Sequence, residues 1–119
     1  MAASPRLTTH VLDTAAGRPA RGMKVECYRV LPDGVAMLAQ TATNEDGRTP
    51  SPLLSGAAMI AGPYRLLFYV GEYFAAAKHS DARRFLDIVP IQFTIDDVNA
   101  AYHVPLLVSP WAYSTYRGS

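Results

Sequence analysis

Two histidines and an arginine carry most of the chemistry this sequence can offer. His10 lies in Leu7-Thr8-Thr9-His10-Val11-Leu12-Asp13, His103 in Tyr102-His103-Val104-Pro105, and Arg48 directly follows Asn44-Glu45-Asp46-Gly47. An imidazole with its ordinary pKa of about 6.5 takes up or gives up a proton near neutral pH. Arginine stays charged and presents a planar donor fork that suits a carbonyl or a developing oxyanion. Such a set can run water-dependent acyl chemistry without a metal. Taken singly each residue is weak evidence, because a histidine on an exposed strand face or an arginine on a loop is more often plain surface. Zinc is the rival use of two histidines, but there is no HExxH-type pair and no third ligand at matching spacing. The third histidine, His79, follows a helical stretch and reads as a helix-end or surface residue.

Composition removes several classes of function. The 119 residues are 50% hydrophobic and 18% charged, an ordinary globular balance, and no apolar run is long enough to cross a bilayer. Eleven basic and ten acidic residues are mixed along the chain for a net charge of +1, so no basic stripe exists to neutralise nucleic acid. The single cysteine, Cys27, cannot form an internal disulfide and is expected as a reduced, packed thiol. The start, Met1-Ala2-Ala3-Ser4-Pro5-Arg6, does not resemble a secretory signal, and Arg117-Gly118-Ser119 is not a peroxisomal address. A cytoplasmic protein forming one domain over residues 1–119 is the expectation.

The elements that must position these side chains read as strands. Short segments rich in β-branched and aromatic residues recur between turn signals: Leu7 to Leu12, Met23 to Leu31, Val35 to Thr43, a short Ser51 to Leu54, Tyr64 to Val70, Phe85 to Ile95, Tyr102 to Val108 and Trp111 to Tyr116. Period-2 alternation in the first puts Thr8 and His10 on the face opposite Leu7 and Val11. Pro32-Asp33-Gly34 closes a hairpin, and the turn at residues 44–47 makes Arg48 a loop-rim residue. Glu72 to Lys78, with three consecutive alanines, is the one place where helix propensity wins. Pro90 belongs on a sheet edge or bulge; Pro105 needs either a bulge or a nitrogen pointing off the ladder. The prediction is all-β: two packed antiparallel sheets of roughly seven or eight strands with one short helix.

Several segments, in order, resemble the transthyretin-like family. They are Leu7 to Asp13 leading to Gly17-Arg18-Pro19-Ala20, then Thr43 to Arg48, then Gly62-Pro63-Tyr64, and finally Tyr102-His103-Val104-Pro105 through Ser114-Thr115-Tyr116-Arg117-Gly118-Ser119. The match covers nearly the whole chain. The terminal Tyr116-Arg117-Gly118-Ser119, with His10, Arg48 and His103, resembles the hydrolase branch of the family rather than its hormone carriers. That resemblance implies a transthyretin-like β-sandwich and hydrolysis of 5-hydroxyisourate to 2-oxo-4-hydroxy-4-carboxy-5-ureidoimidazoline in urate degradation. It implies no metal or organic cofactor. It also implies a homotetramer, a dimer of dimers, whose central channel gathers His10, Arg48 and His103 as catalytic groups and Tyr116, Arg117, Gly118 and Ser119 as substrate-binding ones.

Opening a ring amide needs a base for water, a donor for the oxyanion and a proton for the leaving nitrogen. One histidine would activate water, the other would orient it or donate a proton, and Arg48 would polarise the carbonyl; the residues leave the order of the two histidines open. Ser119 adds a hydroxyl and the terminal carboxylate as acceptors for the substrate, with Tyr116 and Arg117 fixing the tail. The other reading is a non-catalytic channel that carries small planar ligands.

Overall fold

The structure is a computed structural model that describes residues 4–118. Strict alternation in Arg6–Asp13 (β1) buries Leu7, Thr9, Val11 and Asp13 and leaves Thr8, His10 and Leu12 half-buried on the other face, as the sequence pattern predicts. The chain continues through Arg18–Pro19 (β2), Lys24–Leu31 (β3), Gly34–Ala42 (β4), Leu54–Ser55 (β5), Gly62–Tyr69 (β6), the helix Val70–Ala76 (α1), Ile88–Ile95 (β7), Ala101–Val108 (β8) and Tyr113–Thr115 (β9), with a 3-10 turn at Gly56–Ala58. One sheet runs β2-β1-β8-β9 with β5 paired to the start of β1; the other runs β4-β3-β6-β7.

The two sheets close on one core. Leu7, Val11, Leu106 and Val108 meet Val25, Cys27, Leu66, Phe68 and Val89, and Phe74 of α1 joins them. Each such aliphatic or aromatic side chain contributes about 1.5–3 kcal/mol when fully buried. Cys27 is free and fully buried, and burial pushes its thiol up to about 12. Among the described residues no helix is long and apolar enough to cross a membrane.

The described residues form nine strands rather than seven or eight, with β2 unexpected and β5 at Leu54–Ser55 instead of Ser51 to Leu54, and the layout departs from expectation in four further places. First, pairing is antiparallel except between β1 and β8, which run parallel in unbroken register from Arg6↔Ala101 to Asp13↔Val108. Alternation looks the same in either orientation, so the sequence carried no sign of it. Second, α1 begins and ends two residues earlier than its alanines suggest, and Lys78 beyond it adopts a left-handed φ of 59° that stops the helix. Third, β7 begins at Ile88 rather than Phe85, because the backbone just before it bonds elsewhere: Leu86 N–H to the Pro110 carbonyl, and the Asp87 carbonyl to Gly71 N–H. Fourth, β9 is only Tyr113–Thr115, since the Ser109 hydroxyl accepts from the N–H groups of Trp111 and Ala112 and folds them into a turn.

Both prolines are explained. Pro90 sits on the edge strand β7. Pro105 lies in the unbroken register with β1, and its carbonyl accepts from the Thr115 hydroxyl at 2.7 Å on the β9 side, just past the last β8–β9 pair. Its nitrogen therefore points off the ladder and no bulge is needed.

Candidate functional site

Parallel pairing of β1 with β8 is what assembles the site. It sets Thr8 opposite His103 and His10 opposite Pro105, so Thr8, His10 and His103 share the outer face of the β2-β1-β8-β9 sheet. Residues paired in this way are adjacent in space although they are about 95 apart in sequence.

Arg48 reaches the same face through a tightly built turn. The Asn44 side-chain oxygen accepts from the N–H groups of Asp46 and Arg48, and the Gly47 carbonyl accepts from Val11 N–H at 2.8 Å. Gly47 has φ +74°, and a Cβ there would run into the Val11 carbonyl oxygen, so the turn can lie on β1 only with glycine at this position. A single antiparallel bridge joins His10 to Arg48. The His10 ring completes the clasp, with Nε2 2.8 Å from the Asp46 carbonyl oxygen. A carbonyl only accepts, so Nε2 of His10 carries the proton.

His103 is half-buried, its Nδ1 2.8 Å from the Thr8 hydroxyl. Burial, then the Arg48 guanidinium, then His10, hold its pKa below the ordinary histidine value. The ring is accordingly neutral at neutral pH. Arg48 and His103 line one cavity of about 450 Å³ together with Arg6, Thr8, Thr49 and Ser51. His10 stands beside this cavity rather than in its wall. A neutral imidazole next to a permanently charged guanidinium can accept a proton from water while the cation stabilises the oxyanion that forms.

The tail divides its residues. Gly118 donates its N–H to the His103 carbonyl at 2.7 Å and lies against the imidazole. Arg117 instead stacks on the Tyr102 ring at 4.1 Å and donates to the Ala101 carbonyl at 3.3 Å. Tyr116 is exposed and, with Arg117, Phe93 and Val104, lines a separate hollow of about 270 Å³. Arg117 thus ties the tail to Tyr102 and Ala101, while Gly118 packs on His103. Ser119 lies outside the described residues.

A larger hollow of about 830 Å³ beside α1, lined by Arg18, Arg21, Lys24 and Glu72, holds none of these groups, and its Arg21 is paired with Glu45 at 3.4 Å. Among the described residues no three His, Cys, Asp or Glu side chains gather as a metal site. Sequence reasoning did not see Thr8 as the partner of His103. The available signal was its spacing two residues before His10 on one strand face; what it lacked was the identity of the neighbouring strand.

Known proteins share this architecture. The chain is 51% identical over 121 residues to the 5-hydroxyisourate hydrolase 2 of Rhizobium meliloti (strain 1021), covering all of both chains. A 5-hydroxyisourate hydrolase structure from Klebsiella pneumoniae superposes with a TM-score of 0.79 at 36% identity, covering 96% of this chain and 93% of that one. An (S)-allantoin synthase structure matches at a TM-score of 0.90 and 43% identity over 99% of this chain, which spans 45% of that longer protein. The HIUase/Transthyretin family model matches residues 7–118, and with identity of this order over its full length the chain belongs to that family.

Proposed function

We propose that the protein hydrolyses 5-hydroxyisourate at the cavity between β1, β8 and the residue 44–48 turn. The observation that carries this reading is the meeting of His103 and Arg48 in one cavity wall, with His103 held neutral by burial and by the arginine. Its full-length similarity to 5-hydroxyisourate hydrolases supplies the substrate. A water molecule gives its proton to an imidazole and its oxygen bonds to the ring carbonyl carbon. Arg48 stabilises the oxyanion, the carbon–nitrogen bond breaks, and the nitrogen leaves with a proton. His10, Arg48 and His103 are the catalytic groups in this scheme, Gly118 and Ser119 border the substrate, and Tyr116 and Arg117 hold the tail.

The functional unit in this reading is a homotetramer, and the single unpaired thiol Cys27 suits the cytosol. The candidate groups lie on the outer face of the sheet that contains β1 and β8, the face a dimer of dimers would turn toward a central channel. Freshly generated 5-hydroxyisourate followed by ultraviolet absorbance, alongside light scattering for the mass in solution, tests both parts. Decay far faster than in buffer, from a particle of four chains, is expected. A folded protein that leaves the decay unchanged would be a binder of planar ligands instead.

A further inference from the structure

The proton on His10 is assigned by its partner, and the partner of His103 is a residue that the reaction scheme does not use. His10 donates through Nε2 to the Asp46 carbonyl, which leaves Nδ1 as its lone-pair nitrogen in the neutral ring. His103 is held by its other nitrogen: Nδ1 lies 2.8 Å from Thr8 Oγ1. A hydroxyl both donates and accepts, so the direction of this bond depends on where the hydroxyl proton goes. The Tyr102 carbonyl, 3.5 Å from Thr8 Oγ1, is an acceptor toward which that proton can turn, and we take it as so turned. Oγ1 then accepts from Nδ1–H. The opposite edge of the ring is covered by Gly118, whose α-carbon is so close that a Cβ would lie 2.7 Å from His103 Cδ2. With Nδ1 engaged and Cδ2 covered, Nε2 is the nitrogen left to the cavity that His103 lines.

We propose that Thr8 is a positioning residue for His103: its hydroxyl takes the Nδ1 proton, fixes the ring plane and leaves Nε2 as the lone-pair nitrogen that accepts the proton of water. The two histidines thus carry opposite tautomers, and the base is His103. This rests on the reading of His103 as a catalytic group, and it adds what that reading leaves open. Partners that fix the tautomer of metal-bound imidazoles are worth about ten- to a hundredfold, and we take the same scale for Thr8.

The test uses the full chain, with nitrogen-15 NMR of the histidine rings beside steady-state kinetics on 5-hydroxyisourate. Above its pKa, wild-type His103 should show the Nδ1–H form. Thr8→Val, which exchanges the hydroxyl for a methyl of similar size, should mix the tautomers and lower kcat by about ten- to a hundredfold with KM nearly unchanged. Thr8→Ser should restore both the spectrum and most of kcat. A packing role alone would move stability but neither the tautomer nor kcat. If Thr8→Val keeps wild-type kcat while His103→Ala loses it, the positioning role is wrong and the catalytic reading stands. If His103→Ala itself keeps wild-type turnover, both are wrong. Should Thr8→Val fail to fold, the wild-type spectrum alone decides, since a dominant Nε2–H form of His103 overturns the assignment.

Discussion

Gly118 and His103 are joined twice: the Gly118 N–H donates to the His103 carbonyl at 2.7 Å, and the glycine α-carbon packs so close to the imidazole that a Cβ would sit 2.7 Å from Cδ2. The chain tail and the ring therefore share one geometry, and neither can move without the other. Gly118→Ala forces the ring or the tail aside. A displacement near 1 Å at a reacting group costs on the order of a hundredfold in rate. Gly118→Ala is expected to lose activity on that scale while its circular dichroism stays that of the wild type; kcat measured on the purified variant checks this.

Gly47 ties the Arg48 turn to β1. It combines φ +74° with no room for a Cβ against the Val11 carbonyl, and its own carbonyl accepts from Val11 N–H. Gly47→Ala is expected to destabilise the fold by about 1–3 kcal/mol, the cost of a non-glycine residue held at positive φ against a fixed backbone. Urea unfolding measures the loss directly. Activity should fall as well, because Arg48 is the next residue.

The environment of His103 predicts a pH dependence. Burial, Arg48 and His10 all disfavour its protonated form, so its proton leaves below the ordinary value of about 6.5 and the neutral ring persists into mildly acid solution. The acid limb of kcat/KM should accordingly lie below about pH 6.5. Arg48→Gln removes the larger of the two charge contributions, so the midpoint for His103 should rise in an NMR titration, whatever happens to the rate. A midpoint above the ordinary value in the wild type, or one that ignores Arg48→Gln, would contradict the arrangement.

How much of this the sequence revealed differs between elements. Alternation in β1 placed Thr8 and His10 opposite Leu7 and Val11, and the turn at residues 44–47 placed Arg48 on a rim, because both are local patterns. Three consecutive alanines located α1 but not its ends, which tertiary packing and the left-handed Lys78 decide. The first strand of the chain lies parallel to the eighth, a pairing with no local signature, and it is this that brings Thr8 to His103. Resemblance to a family suggested which residues converge; alternation and turn signals could not, since they describe each strand alone. The split of the tail into an anchoring Arg117 and a ring-contacting Gly118 likewise depends on contacts with β8.

The most direct measurement is the turnover of 5-hydroxyisourate by His103→Ala, set beside wild type, His10→Ala and Arg48→Ala, with folding of each verified by circular dichroism. Loss of the general base should lower the rate by about 10²- to 10⁴-fold in His103→Ala. Arg48→Ala should fall heavily through loss of oxyanion stabilisation. His10→Ala should fall too, because it removes the second catalytic imidazole together with its clasp on the Asp46 carbonyl beside Arg48. A folded His103→Ala that turns over substrate at the wild-type rate would contradict the account at its centre.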